Sequence, residues 1–381
     1  AALAGGAGIY RGTDMTEAAL QQYIQAIRPA DRAVMDAARK RQAELAKPPG
    51  SLGALEDMSI RLAGITGQVC PKMDSCRVAV FAADNGVVDE GVSCAPRSVT
   101  LQQAINMTRR RTGMSAMAAA FGDDVAVVDV GIAADVLGVG ILDRKVRRGT
   151  GNIAVEDAMT RPEALAAMAA GMEQAARARA DSITALGIGE MGIGNTSTSA
   201  AVLSALTGAD IEAVTGRGGG LTDEGFARKK DVLRRALTRR AVDKDDVLDV
   251  LCAVGGLDIA AMAGAFLGCA HERIPAAVDG FISVVAALCA VTLCPEVQDY
   301  LFLSHDSYEV GYRLAADRLG LEPCLHLGMR LGEGSGCPLL FRVLEGACGV
   351  MAGMATFAQA AIQDDYLDEI RAGDSFTVDK P

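Results

Sequence analysis

One glutamate of this chain stands between glycines directly after an apolar segment, in the run Arg330-Leu331-Gly332-Glu333-Gly334-Ser335-Gly336. A carboxyl group in this setting has little solvent beside it and few obvious partners. Partial burial raises the pKa of a carboxyl toward neutrality, which suits a general base. From physical chemistry alone, Glu333 is either such a base or a cap on the helix that follows.

A second glycine-rich segment, Gly187-Ile188-Gly189-Glu190-Met191-Gly192, has the GxGxxG spacing and precedes Asn195-Thr196-Ser197-Thr198, which can begin a helix. Glycines let backbone N–H groups approach a phosphate, and a helix N-terminus favours negative charge. Asp210 lies 18 residues past Gly192, near the spacing of a ribose-binding carboxylate. The segment indicates a phosphate site, with an NAD-dependent oxidoreductase or a tight strand–helix turn as alternatives. Glu190 is unusual for a turn that serves packing only.

A third glycine-rich segment, Gly216-Arg217-Gly218-Gly219-Gly220, leads into a helix that we expect to begin near Thr222. Lys229 lies two turns into that helix. It either reaches back toward a phosphate at the glycine-rich loops or belongs to a solvated face, and the spacing favours neither. The later basic residues are typical of a solvated face: Arg234, Arg235, Arg239 and Arg240.

Three histidines, His271, His305 and His326, are not grouped with Cys, Asp or Glu at metal-ligand spacing. His305 is expected to orient a loop, and the other two to be ordinary strand or helix-end residues. The sequence also has no Walker A loop. We therefore expect neither a metal nor a cofactor.

Composition narrows the function classes. The formal net charge of −11 argues against a nucleic-acid surface. Ten cysteines lack CxxC spacing and several lie in apolar helical runs, which is typical of buried free thiols in a reducing compartment. The first 14 residues lack the basic start and apolar core of a signal peptide. The longest uncharged stretches, 280–295 and 346–363, are rich in Ala and Gly and favour buried helices over membrane spans. We expect a cytoplasmic protein.

Short apolar segments of strand type alternate with helical segments after the break at Pro48-Pro49-Gly50. The predicted strands are Arg77–Ala82, Val125–Val130, Ile183–Ile188, Ala276–Gly280 and Cys324–Met329. Each precedes Gly-rich sequence and a helical run, which is the pattern of a parallel sheet covered by helices on both faces. A long apolar helix is predicted around 343–363. The fold class is α/β, and ligands of such sheets bind at the carboxyl ends of the strands.

Seven blocks of sequence, in the expected order between about residues 44 and 360, resemble the nicotinate-nucleotide–dimethylbenzimidazole phosphoribosyltransferase family. The blocks are 47–53 with 55–56, 81–88 with 90–93, 189–196, 216–218 through 228–229, 255–260, 278–281 and 330–336. Seven ordered blocks are far more specific than one GxGxxG match.

The resemblance implies a reaction in which nicotinate mononucleotide donates its ribose phosphate to the lower-ligand base of a cobamide and releases nicotinate. The product has an α-glycosidic bond where the donor had β, consistent with attack from the face opposite the leaving group. By resemblance, Glu333 is the general base, typically worth ~10²–10⁴ in rate, and Glu190 is a second carboxylate near the ribose or the nucleophile. Residues implied in substrate binding are Gly192, Asn195, Thr196, Gly218 and Lys229 for the nucleotide and phosphate, Met191, Leu331, Ala95 and Gln103 for the base, and Gly332.

The family also implies a large Rossmann-like catalytic domain, a parallel sheet flanked by helices, at residues 46–339. A small helical domain is expected from both termini, at residues 15–45 and 340–381. The active site of the family is dimeric, so the expected assembly is a homodimer or a heterodimer with a related subunit.

Several positions depart from the family pattern. They are Asn85, Gln103, Asp258 and Tyr312, where His, Met, Glu and His are common, and Cys337-Pro338. Ala95 and Gln103 leave the accepted base open between a benzimidazole and a phenol, because some relatives form two-subunit enzymes that activate phenols. A phenol offers one O–H where benzimidazole offers two ring nitrogens, so pocket polarity would decide. A non-catalytic subunit of a heteromeric transferase is a further alternative, against which the retained Glu333, Glu190 and Lys229 argue.

Overall fold

The computed structural model describes residues 15–136, 138 and 140–367, and a six-stranded sheet lies at its centre. The strands are β1 (Cys76–Ala83), β2 (Asp124–Gly131), β3 (Leu142–Asp143), β4 (Ala185–Met191), β5 (Ala276–Val278) and β6 (Leu301–Leu303). Their order is β3-β2-β1-β4-β5-β6, and every neighbouring pair is parallel. The order changes direction between β1 and β4, where sheets of this kind open a crevice for ligands.

Helices connect the strands along the described chain. They are α1 (Glu17–Ala26), α2 (Arg32–Glu44), α3 (Ala54–Thr66), α4 (Ser98–Thr108), α5 (Gly113–Phe121), α6 (Arg161–Ala180), α7 (Asn195–Thr207), α8 (Ile211–Val214), α9 (Asp223–Thr238), α10 (Val247–Val254), α11 (Leu257–Glu272), α12 (Phe281–Leu293), α13 (Tyr312–Leu319), α14 (Cys337–Gly353) and α15 (Phe357–Ala360). Three short 3-10 helices lie at Gly86–Glu90, Pro295–Tyr300 and Asp365–Leu367. The helices and the parallel sheet confirm the predicted α/β class.

Small residues bring the helices close together. Where α6 crosses α11, a Cβ built on Gly171 would collide with the backbone of Ala261, and one built on Gly264 would collide with the backbone of Met168. Local sequence also defines the start of α6, since Thr160 forms a capping box with Glu163 at the N-terminus of this helix. The low aromatic content thus reflects close backbone packing.

None of the helices in the described ranges is long and apolar enough to cross a membrane.

The described chain divides into two compact units. The first holds residues 15–29 and 75–341, and the second holds residues 30–74 and 342–367. The predicted boundaries differ at the N-terminal side. Helix α1 belongs to the first unit, where Tyr23 stacks on His271 of α11 with ring centroids 4.2 Å apart. Helix α3 belongs to the second unit with α2, because Gln42 donates a hydrogen bond to Ser59 across 2.8 Å. Of the predicted small domain, residues 368–381 lie outside the described residues.

One predicted strand is wrong. Residues 324–329 are not a strand, and Leu325 forms only an isolated bridge with His305. Gly328 has a positive φ of 65°, which interrupts extended structure. The edge strand is instead β6, which the apolar pattern did not single out, and the two-residue β3 was also missed. The predicted helix 343–363 corresponds to two helices: α14 begins earlier, at Cys337, and ends at Gly353, and the short α15 follows at Phe357–Ala360.

Candidate active site

A cavity of about 260 Å³ opens beside the carboxyl ends of β4, β5 and β6 in the first unit. Eleven of the twelve predicted site residues line it: Ala95, Gln103, Glu190, Met191, Gly192, Asn195, Thr196, Gly218, Leu331, Gly332 and Glu333. The twelfth, Lys229, lies directly behind the wall and donates a hydrogen bond to Thr196. Segments far apart in sequence therefore meet at one place, as the rule for parallel sheets predicts.

The loop that carries Glu333 has an unusual backbone. Gly332, Glu333 and Gly334 all have positive φ, of 82°, 65° and 81°. For a residue with a Cβ this conformation costs about 1–2 kcal/mol. Two backbone N–H groups of the loop, those of Gly334 and Gly336, donate to the carboxylate of Asp279 across 3.0 Å and 2.7 Å. The loop is thus held in a strained form by contacts outside itself.

The Glu333 carboxyl, carried by this loop, forms part of the cavity wall. Its Oε2 accepts from the backbone N–H of Met114 across 3.4 Å, and its Oε1 accepts from the Gln103 amide across 3.3 Å. Burial raises the pKa of Glu333, and hydrogen bonds from Thr112 and Met114 partly offset the rise. A carboxylate with a raised pKa that still has a lone pair free can accept a proton from an attacking nucleophile near neutral pH.

Glu190 is the second carboxyl of the site and is buried in the cavity wall. It accepts a hydrogen bond from the Asn195 amide, whose nitrogen also donates to Asp258 across 3.0 Å. Burial, reinforced by the negative charges of Asp258 and Asp279, raises the pKa of Glu190 to about 8. Burial likewise raises the pKa of Asp258 to about 6. Glu190 is therefore mainly neutral at pH 7, whereas Asp258 is mainly ionised.

Lys229 faces the start of α7. It is completely buried, and its Nζ donates to Thr196 Oγ1 across 2.9 Å and to the carbonyl of Gly216 across 3.0 Å. Burial lowers its pKa to about 8. The N-terminus of α7, at Asn195, has no side-chain cap, and Gly218 lies beside Thr196 with room for little more than hydrogen. An uncapped helix N-terminus with an ammonium next to it favours a phosphate.

The GxGxxG spacing has a different structural basis from the predicted phosphate loop. Gly187 and Gly189 lie inside β4 and face protein, since a Cβ on Gly189 would lie 2.6 Å from the Cα of Gly334 and one on Gly187 would lie 2.5 Å from Cys337. Asp210 caps α8 by accepting from the N–H of Glu212. Both observations contradict the dinucleotide interpretation. Gly189 makes room for the Glu333 loop and Gly187 for the start of α14, and the segment from Glu190 onward borders the cavity.

The apolar wall of the cavity includes Met191, Leu331 and Ala95. Leu331 is 57% exposed and packs over Gly113, where a Cβ would lie 2.6 Å from the Leu331 side chain. Gln103 is oriented by Asn106, which donates to its carbonyl oxygen across 3.1 Å, so its NH₂ group points to Glu333. A flat aromatic base fits such a wall, with one polar group beside the carboxylate.

Sequence reasoning assigned no role to buried Asp279 or to half-buried Glu309, and it expected His305 only to orient a loop. Asp279 holds the Glu333 loop, His305 lines the cavity 3.8 Å from the Asp279 carboxylate, and Glu309 supplies negative charge near Lys229. The available signal for Asp279 was a carboxylate directly after an apolar strand. No cluster of three or more metal-ligating side chains occurs among the residues that the structure describes.

A family model described as a phosphoribosyltransferase matches residues 27–362, which include every residue of the cavity wall. The class of protein is therefore a phosphoribosyltransferase, an enzyme of the pentosyltransferase kind. The nicotinate-nucleotide–dimethylbenzimidazole phosphoribosyltransferase of Clostridium perfringens is 45% identical over 359 residues, covering 94% of this chain and 99% of the relative. The protein of that name from Desulforudis audaxviator is 47% identical over 344 residues, covering 90% and 98%. The crystal structure of the protein of that name from Thermus thermophilus matches with a TM-score of 0.83 at 41% identity, covering 88% of this chain and 99% of that one. The chain belongs to the nicotinate-nucleotide–dimethylbenzimidazole phosphoribosyltransferase family, which confirms the resemblance.

Proposed function

We propose that the chain transfers the ribose 5′-phosphate of nicotinate mononucleotide to a lower-ligand base, giving the α-riboside 5′-phosphate and nicotinate. The observation that carries the proposal is the placement of Glu333. Its carboxyl, with a raised pKa, sits in the same cavity as the helix N-terminus next to Lys229. To transfer a phosphorylated sugar to a nucleophile that carries a proton, an enzyme needs an anion site and a proton acceptor in the same cavity.

In the proposed reaction the donor phosphate binds at Thr196, Gly218 and the start of α7, with Lys229 behind it. The acceptor lies between Met191 and Leu331. The nucleophilic atom of the acceptor attacks the anomeric carbon while Glu333 removes a proton from the acceptor. The bond between the anomeric carbon and the ring nitrogen of nicotinate breaks on the opposite face. The positive charge of the pyridinium ring is neutralised as it leaves, so nicotinate needs no proton on its ring nitrogen.

Neutral Glu190 donates or accepts hydrogen bonds near the ribose without adding a second charge to the cavity. The acceptor is a benzimidazole or a phenol, and the Gln103 amide next to Glu333 is the polar group that a benzimidazole nitrogen or a phenol oxygen would meet. We further propose that the protein works in the cytoplasm as a homodimer or as a heterodimer with a related subunit.

The test is a product assay with the full chain. The purified protein is incubated with nicotinate mononucleotide and, separately, dimethylbenzimidazole, adenine, phenol and p-cresol. Nicotinate release and the new ribotide are followed by chromatography with mass detection, and NMR coupling at the anomeric carbon establishes the α configuration. Acceptor-dependent nicotinate release supports the proposal and identifies the base. Absence of product with every acceptor, from protein that is folded, would contradict a single-chain enzyme and point to a second subunit.

A further inference from the structure

The carboxylate of Asp279 lies directly behind the Glu333 loop. Asp279 follows β5 and is 1% exposed. Its two oxygens accept from two different backbone groups of the loop, Oδ2 from Gly334 N and Oδ1 from Gly336 N. One side chain thus spans the backbone on the C-terminal side of Glu333, the residue proposed as the base.

This loop needs an external hold because its backbone is unfavourable. Glu333 has a φ of 65°, in the left-handed region that disfavours residues with a Cβ. Within the loop, one hydrogen bond closes the turn, from Ser335 N to the carbonyl of Gly332 across 3.0 Å. Strained conformations of this kind persist when the surrounding structure determines them. The two bonds to Asp279 come from outside the loop and fix its position relative to the sheet.

Asp279 is itself fixed from several sides. Its backbone N–H donates to Ser283 Oγ across 3.2 Å, and that hydroxyl donates to the carbonyl of Ile188 in β4 across 2.8 Å. On another side, Ser304 Oγ donates to the Asp279 carbonyl across 3.3 Å. The chain of contacts therefore runs from the sheet, through Asp279, to the loop.

We propose that Asp279 is a positioning residue of the transferase, which acts by holding the Gly334 and Gly336 amides and thereby aims the Glu333 carboxyl at the attacking base. This inference rests on the proposed function. In this role Asp279 affects the rate by positioning Glu333. The loss of Asp279 should therefore lower the rate mainly while Glu333 can take a proton.

The chain offers a matched control in Asp129. This residue is also 1% exposed, lies near the end of β2 and accepts from two backbone N–H groups, those of Gly131 and Ile132, across 3.1 Å and 2.8 Å; it also pairs with Lys145 across 3.0 Å. It is not part of the cavity wall. Asp129→Asn therefore reproduces the loss of a buried carboxylate with two amide donors, at a loop that does not carry the base.

The test is a double-mutant cycle in the product assay, with wild type, Asp279→Asn, Glu333→Gln, the double variant and Asp129→Asn. In the wild-type background Asp279→Asn should lower kcat about 10- to 100-fold, as expected for a misplaced proton acceptor, with KM for nicotinate mononucleotide within about 3-fold. In the Glu333→Gln background the same change should lower kcat by less than about 3-fold, because residues that act as a unit are not additive. Asp129→Asn should lower Tm and leave kcat within about 3-fold.

Equal fold-losses in both backgrounds would overturn the role of Asp279, because a general structural effect multiplies. A rise in KM for nicotinate mononucleotide with kcat unchanged would overturn the role of Asp279 as well. If Asp279→Asn does not fold, Ser283→Ala replaces it. This change removes the contacts of the Ser283 hydroxyl with the Asp279 N–H and the Ile188 carbonyl but keeps the Asp279 carboxylate, and it should show the same dependence on Glu333 with a smaller loss. A wild type that forms no product with any acceptor would contradict the proposed function of the single chain, so the two failures are distinguishable.

Discussion

The backbone N–H of Glu333 donates a hydrogen bond to Oε1 of Glu190, across 3.3 Å. One carboxyl of the site thus holds the main chain of the other, whose own carboxyl turns to Met114 and Gln103. The environments differ: burial and the negative charges of Asp258 and Asp279 raise the pKa of Glu190 to about 8, whereas hydrogen bonds from Thr112 and Met114 partly offset the rise that burial causes in the pKa of Glu333. Carboxyl pairs in different environments take different roles, which is the basis for proposing Glu333 as the proton acceptor and Glu190 as its neutral support.

Replacing Glu333 by Gln should lower kcat by about 10²–10⁴, the usual contribution of a general base. Gln keeps the shape of the side chain and can still accept from Met114 N, so KM for nicotinate mononucleotide should change little. Steady-state nicotinate release measures both parameters. The matched control is Glu173→Gln, a buried glutamate paired with Arg144 and Arg177 away from the cavity wall, which should cost stability and leave kcat unchanged. A Glu333→Gln enzyme within tenfold of wild type would show that another group takes the proton.

Replacing Lys229 by Met should raise KM for nicotinate mononucleotide by about 10- to 100-fold, because a hydrogen bond to a charged group contributes about 1.5–3 kcal/mol. The loss should disappear with nicotinate riboside, which lacks the phosphate. Kinetics with both donors therefore separate a phosphate contact from general damage. Lys230→Met is the control, since Lys230 pairs with Glu212 across 2.7 Å and should affect neither donor. A Lys229 variant equally impaired with both donors would contradict a phosphate role.

The sequence predicted the parallel sheet and its glycine-rich loops from local patterns, whereas the base-pocket residues Ala95, Gln103, Met191 and Leu331 were implied only by the resemblance to the family. Apolar segments before Gly-rich loops mark strands, and their carboxyl ends meet at one edge of the sheet. Contacts between distant segments left no such pattern. Asp279 bonds to amides 55 and 57 residues further along the chain, and Gly189 is small because Gly334 packs on it. The GxGxxG spacing suggested a phosphate loop for that reason, because close backbone packing and phosphate binding both require glycine.

Glu190 should make the protein less stable as the pH rises toward 8. Its pKa is 4.5 in the ordinary case and about 8 in the folded state. Between these values the folded chain holds a proton that the unfolded chain has released, so the free energy of unfolding falls with rising pH.

Gln resembles the protonated carboxyl and does not titrate. The difference in Tm between Glu190→Gln and wild type should therefore shift in favour of the variant by roughly 2–6 °C when the pH is raised from 5.5 to 8.5. Scanning calorimetry at both pH values measures this change. For Glu173, whose hydrogen bonds and ion pairs with arginine lower the pKa, stability is lost only in acid. The Tm difference of Glu173→Gln should thus be the same at both pH values, and equal behaviour of the two variants would contradict a protonated Glu190.

A methyl group on Gly189 should displace the Glu333 loop. The added Cβ would lie 2.6 Å from both the Cα and the nitrogen of Gly334, which are backbone atoms that cannot rotate away. Gly189→Ala should therefore lower kcat by about tenfold or more, as expected for a base misplaced by an ångström, and lower the free energy of unfolding by about 1–3 kcal/mol. Gly346→Ala is the control, because this helical position has open space around the Cβ and alanine stabilises a helix by about 0.5–1 kcal/mol. Steady-state kinetics and urea unfolding of both variants measure these effects. A Gly189→Ala enzyme that loses stability but keeps kcat would show that the position of Glu333 does not depend on the contact of its loop with β4.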